Sequence, residues 1–267
     1  MMGERPQVSE EINSGWLGPQ SVLASMPRAL AAQEMLDRIV AAIEPTHRRV
    51  VGVCLHDRMT GERFSHNGRF RTQIGSLVKP MILVALIRAQ RAKGQGLTMS
   101  QERMADGMIR VNDNPAAAAL MRAAGGRRSL DRLASDLGMA RTESSVSSWG
   151  RTMSTAPDQA RFMDALLDGS AELGIEDSDR EYVLDLMARV IPSQKWGVGC
   201  VPSGVESRVK NGWVPLSPGE WRVNTVGHVK GWERDYVLAI LSSSNSSMEA
   251  GVGRVNAVSR TVFSALG

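Results

Sequence analysis

Seven consecutive apolar residues, Met81-Ile82-Leu83-Val84-Ala85-Leu86-Ile87, leave no polar face for water, so the segment must be covered on all sides. It follows Pro80, which is tolerated near a helix start, and read as a helix it must run through a core that the rest of the chain folds around. Immediately before it stand Ser76-Leu77-Val78-Lys79. Residues three apart share a face on a helix, so Ser76 and Lys79 would meet on the first turn. With 27 serines and five lysines in 267 residues, chance supplies about half a Ser-x-x-Lys match. The chain has two, and the second, Ser207-Arg208-Val209-Lys210, reads as strand, where residues three apart point to opposite faces. Ser76 is therefore the candidate nucleophile. On the motif alone a plainer reading stays open, with Ser76 as a helix N-cap and Lys79 as a solvated first-turn charge.

Composition excludes several classes of function. Hydrophobic residues make up 42% and charged residues 22%, which fits a globular chain with room for one large domain or two lobes sharing a core. The net charge of +4 arises from 32 basic and 28 acidic residues. The arginines are scattered, with no basic stripe interleaved with aromatics, so no nucleic-acid partner is expected. Residues 1–19 lack the apolar core of a secretory signal, and no apolar run approaches the roughly 20 residues of a membrane span. A soluble cytoplasmic protein with no membrane partner is the expectation, and Cys54 and Cys200 fit it as reduced thiols. The four histidines, His47, His56, His66 and His228, are dispersed, so no metal and no cofactor are expected.

Punctuation along the chain gives its organisation. Residues 1–27 carry little periodicity and read as an N-terminal extension. Arg28–Glu44 has the apolar spacing of an amphipathic helix, Arg49–Asp57 and Glu62–His66 form a hairpin, and the Ser76 helix follows. Helices then run from Thr98-x-x-Gln101 to Arg110, over Ala116–Ala124 behind Asn114-Pro115, from Ser129 to Gly138, from Thr155 to Gly169 and from Ser178 to Pro192. Met139–Met153 is a long polar loop. Strands return at Glu206–Trp213, Arg222–Val229 and Tyr236–Ser242, with Pro215–Glu220 and Gly231–Asp235 as turns, before a final helix over Ser247–Ala265. The order predicts an α+β fold in which an antiparallel five-stranded sheet is flanked by helices. Residues 28–70 and 199–267 would form the sheet lobe and residues 71–198 an inserted all-helical lobe. Their junction is a natural cleft where Ser76 and Lys210 can meet.

These residues resemble the serine β-lactamase and penicillin-binding-protein family, in its class A-like branch, over about residues 28–267. Ser76-Leu77-Val78-Lys79 matches its Ser-x-x-Lys motif, Asn112-Asp113-Asn114 occupies the Ser-Asp-Asn position, and Lys210-Asn211-Gly212 occupies the Lys-Thr-Gly position. The helical block between the first two motifs is shorter than is usual in the family. The resemblance implies that Ser76 attacks an acyl carbonyl and that Lys79 takes its proton, with a pKa depressed by burial and by Lys210. It implies an oxyanion hole built from the backbone N–H groups of Ser76 and Trp213. Lys210 would attract a substrate carboxylate, Asn114 would orient Lys79, and Asn211, Gly212 and Trp213 would line the substrate site, the Trp213 side chain narrowing it. For Asn114 the alternative of a helix N-cap before Pro115 is equally natural and can coexist with that role.

Two positions depart from the family pattern. Asn112 stands where a hydroxyl usually relays a proton, which an amide cannot do. Asn211 replaces a hydroxyl that often contacts the substrate. Glu143, in Arg141-Thr142-Glu143, falls where a loop glutamate would activate the deacylating water, although a glutamate in a polar loop is more often simply solvated. The reading is a cofactor-independent serine hydrolase or acyltransferase acting on a small-molecule amide, lactam or activated ester. In a cytoplasmic protein, cell-wall peptide would not be the substrate. The rival is a degenerate ligand-binding or covalent sensor module of the same fold, motivated by Asn112 and Asn211.

Overall fold

The computed structural model describes residues 28–43 and 50–266. The expected extension at residues 1–27 and His47 lie outside them. In chain order the elements are α1 (Arg28–Ile43), β1 (Val51–Asp57), β2 (Arg63–His66), β3 (Arg71–Gln73), a 3-10 turn (Gly75–Val78), α2 (Lys79–Arg91), α3 (Met99–Asp106), a π turn (Gly107–Val111), α4 (Asn114–Ala123) and α5 (Arg127–Asp136). A 3-10 turn (Trp149–Arg151), β4 (Met153–Thr155), α6 (Ala156–Asp168), α7 (Asp177–Ala188), β5 (Glu206–Ser217), β6 (Glu220–Gly231), β7 (Arg234–Asn245) and α8 (Met248–Ala265) follow, with further short 3-10 turns between.

The sheet has five strands in the order β2-β1-β7-β6-β5, every neighbour antiparallel. Central β7 alternates between two cores, as the period of two requires. Tyr236, Leu238 and Ile240 join the core under α1 and α8, whereas Val237, Ala239 and Leu241 join the core around α2. Met81 to Ile87 are all buried, none more than 3% exposed. The apolar run behind Ser76 is thus the helix at the middle of the molecule. Each of its larger side chains contributes roughly 1.5–3 kcal/mol by burial.

The three C-terminal strands run longer than the sequence suggested. Pro215 lies inside β5, not in a turn, because β5 is the sheet edge and its ladder is irregular between Pro215 and Ser217. The β6–β7 turn contracts to Trp232-Glu233, both at positive φ. Helix starts follow the punctuation with small shifts. Thr98 forms a capping box with Gln101 and Thr155 caps α6, but α7 is capped by Glu176 with Asp179, two residues before the expected Ser178-x-x-Glu181. The expected helix to Arg110 stops at Asp106 and widens into the π turn, after which Asn112 adopts a left-handed conformation. Within residues 71–198, β3 and β4 pair as a small antiparallel sheet. Three-residue strands carry no readable alternation, so this sheet leaves no mark in the sequence.

Candidate active site

Ser76 sits in the 3-10 turn that joins β3 to α2, buried like its neighbours Gly75, Leu77 and Val78. Lys79 opens α2 three residues on, one turn after Ser76. The turn lies against β5. A Cβ on Gly75, which has φ +57°, would stand 2.8 Å from the Trp213 carbonyl oxygen and 2.9 Å from its backbone nitrogen. A Cβ on Gly212 would stand 2.4 Å from the Ile74 oxygen and 2.7 Å from the Ser76 nitrogen. Two glycines thus permit a backbone-to-backbone approach that brings the amides of Ser76 and Trp213 to neighbouring segments.

Lys79 is fully buried, and its Nζ donates to the Asn112 carbonyl oxygen at 2.7 Å, to Asn112 Oδ1 at 2.7 Å and to Asn114 Oδ1 at 2.9 Å. Those three acceptors match the three protons of an ammonium. Lys210, 1% exposed, donates to the same Asn112 Oδ1 at 3.1 Å and to the Asn211 carbonyl oxygen at 3.0 Å. The left-handed backbone at Asn112 (φ +68°) turns both its oxygens onto Lys79, and asparagine tolerates that conformation better than most residues. Burial lowers the Lys79 pKa to about 7, against a smaller opposing pull from the Asp113 carboxylate. Burial, and then the charge of Lys79, hold Lys210 well below the ordinary lysine value. Among the described residues neither lysine forms a salt bridge. The N-cap of α4 is Asp113, whose Oδ1 accepts from the Ala116 amide at 2.9 Å, so Asn114 is free to hold Lys79.

Three expected contributions are not brought together here. Glu143 is exposed and its carboxylate accepts from Arg71 Nη2 at 2.8 Å, turned to a solvated ion pair. Asn211 Nδ2 donates to the carbonyls of Gln194 at 2.8 Å and Trp196 at 3.0 Å, so its amide is engaged with the 192–199 segment. Successive strand residues face opposite ways, and Asn211 follows Lys210, so the side chain is turned from the lysine. The Trp213 indole packs on that same far face against Trp196, ring centroids 6.2 Å apart, and does not narrow the site.

Trp149, which belongs to no motif in the sequence, has its ring centroid 5.2 Å from Lys79 Nζ, within cation–π range. A single aromatic in an otherwise polar loop was its only signal. The described histidines are committed elsewhere: His56 lies 2.7 Å from Asp164, His66 2.7 Å from Asp37 and His228 2.8 Å from Asp235. A cavity of about 770 Å³ lined by Arg58, Arg180, Arg208 and His228 among others contains none of the site residues, and its charges are mixed, as in the Arg58–Asp235 pair.

The model of the beta-lactamase enzyme family matches residues 89–266, beginning after Ser76 and Lys79. A Mycobacterium bovis protein (strain ATCC BAA-935 / AF2122/97) named "Putative lipoprotein LppW" is 28% identical over 223 residues, covering 80% of this chain and 69% of that protein. The protein of the same name from Mycobacterium tuberculosis (strain ATCC 25618 / H37Rv) matches equally. These relatives overturn the expectation of a cytoplasmic protein, and with it the reason for setting cell-wall peptide aside as a substrate. Among the described residues no helix is long and apolar enough to cross a membrane. Among solved structures, a class A beta-lactamase from Bacteroides cellulosilyticus DSM 14838 superposes with a TM-score of 0.76 at 14% identity, over 88% of this chain and 98% of that one. A point mutant of PBP-A, in an acyl-enzyme complex with penicillin-G, gives 0.74 at 18% identity over 87% and 96%. The antiparallel sheet with its central buried helix is thus the class A beta-lactamase fold, and the chain belongs to the beta-lactamase enzyme family.

Proposed function

We propose that this chain is a serine hydrolase or acyltransferase that forms an acyl-enzyme at Ser76 on an amide, lactam or activated ester. The observation that carries the reading is the pair of buried lysines sharing the oxygen of Asn112 beside the Ser76 turn. An amine with a pKa of about 7 is substantially neutral at physiological pH and competent as a base. When Lys79 loses a proton it releases one of its three asparagine acceptors, and its lone pair is free to receive the Ser76 proton. Ser76 Oγ attacks the carbonyl carbon, and the oxyanion is received by the Ser76 and Trp213 N–H groups. Lys79 then returns the proton to the leaving group directly, since Asn112 cannot relay it. Asn112 and Asn114 hold Lys79, Lys210 draws a substrate carboxylate, and Gly212 and Trp213 meet substrate through their backbone.

The same reading keeps residues 71–198 as an insert within the 28–70 and 199–267 lobe, because the site draws on both. Asn112 in place of a hydroxyl also favours a second reading, a covalent sensor that acylates without turnover. Intact protein mass after exposure to benzylpenicillin and to an activated ester, beside Ser76→Ala, separates the two. A Ser76-dependent adduct that forms and is discharged over many cycles supports the enzyme. An adduct that never turns over supports the sensor, and no adduct with any substrate sinks Ser76 as the nucleophile.

A further inference from the structure

We infer that the corner between α4 and α5 is a docking surface for an anionic lipid bilayer, which it meets by adsorption and not by a span. Four exposed arginines stand there: Arg122 in the last turn of α4, and Arg127, Arg128 and Arg132 on α5. Gly125 and Gly126, at φ +98° and +71°, turn the chain sharply between the two helices, so both helices present their cations at one corner. Among the described residues Arg122, Arg128 and Arg132 form no salt bridge, and Arg127 Nε reaches only Asp131, at 3.8 Å. The acids of α5 are engaged elsewhere: Asp131 accepts from the Ser144 amide at 2.9 Å, and Asp136 pairs with Arg88 of α2. Helix α4 carries no acid.

Two of these cations work against the fold. The first turn of a helix holds unpaired N–H groups and the positive end of the dipole, where acids are favoured. The first turn of α5 instead carries Arg127 and Arg128, no acid, and a glycine N-cap without a side-chain bond. Charges that oppose their local electrostatics with no compensating partner point to a use outside the fold. The run of the helices suits a surface partner. Helix α2 begins with Lys79 and α4 with Asn114, which are bonded to one another, and the two helices pack together. Ten residues carry α4 about 15 Å from that bond to the corner, so a bilayer held there meets the chain about one helix length from the lysines. Nucleic acid is disfavoured as the occupant, because residues 92–148 contain no Phe, Trp or Tyr on which bases could stack. Adsorption to a plane of anionic headgroups needs charge alone, at about fivefold in affinity for each basic residue near the surface.

The test is co-sedimentation of the whole chain with vesicles of phosphatidylcholine, alone or with about 30% phosphatidylglycerol. The wild-type chain should bind the anionic vesicles at least about tenfold more tightly than the neutral ones, and lose that margin at about 0.5 M salt. Arg122→Gln, Arg127→Gln, Arg128→Gln and Arg132→Gln combined should weaken binding about 100-fold. Arg127→Gln with Arg128→Gln alone should weaken it about tenfold while melting no lower than wild type, since the first turn of α5 is relieved. A second set, Arg38→Gln, Arg69→Gln, Lys230→Gln and Arg260→Gln, removes four positive charges at exposed positions outside the corner and should weaken binding less than about threefold. Equal loss in the two sets of four, or no wild-type preference for anionic vesicles, overturns the inference. Corner-dependent binding of a single-stranded oligonucleotide without binding to vesicles also overturns it and assigns the corner to nucleic acid.

Discussion

Replacing Lys79 with methionine removes a buried amine and keeps an unbranched side chain. In the folded chain burial brings this amine to about 7, from 10.5. Between those values the unfolded chain binds a proton that the folded chain does not, so stability rises with pH across that window. At about 1.4 kcal/mol per pH unit, and allowing for a half-protonated amine at pH 7, Lys79 should add about 2 kcal/mol to wild-type stability between pH 7 and pH 9. Lys79→Met lacks that increment. The asparagine oxygens stripped of a donor cost the variant about 1–3 kcal/mol each if they stay dry, but this loss does not depend on pH. Removing the charge of Lys79 also eases the depression of Lys210, which widens the difference between the two proteins, whereas Cys54 and Tyr182, both pushed up to about 12 by burial, are the same in both and drop out. Urea unfolding of both proteins at pH 7, 8 and 9 measures the effect. If the two stabilities run parallel within about 0.5 kcal/mol, the Lys79 amine is not depressed and its role as base falls.

Gly212→Ala should lower the rate of acylation at least 100-fold and cost about 1–3 kcal/mol, because its Cβ would strike the backbone at Ile74 and Ser76; adduct formation by mass and urea unfolding read the two effects. Glu143→Gln should leave adduct decay within about twofold of wild type, since the carboxylate is bound to Arg71 on the surface. A larger slowing measured by intact mass would return Glu143 to the site.

The parts of the fold legible in the sequence are those whose patterns are long. Met81–Ile87 announced a buried helix because no face was polar, and the paired strands announced themselves by alternation and short turns. Ser76, Lys79 and Lys210 were readable because lysine is rare here and Ser-x-x-Lys has a geometric meaning on a helix. Positions fixed by backbone detail were not readable. That Asp113 and not Asn114 caps α4 depends on a π turn, which has no sequence signature. That Asn211 and the Trp213 side chain face away from the lysines depends on strand parity, which was available at residue 210 but outweighed by the motif. Trp149 reaches Lys79 only because β4 pairs with β3, and nothing local in the loop reveals that pairing.

The oxygen of Asn112 that receives both Lys79 and Lys210 gives the two amines a common fate. A second positive charge beside the first is resisted by the first, and among the described residues no carboxylate is bonded to either to offset it. The protons they hold therefore belong to the pair, and a titration followed at either nitrogen will report two steps shared by both. An anion entering the cleft near Lys210 would raise the proton affinity of Lys79 as well. On this arrangement, arrival of a carboxylate-bearing substrate alters the state of charge of the base that must act on it, and the pH profile of the loaded site is displaced upward from that of the empty one.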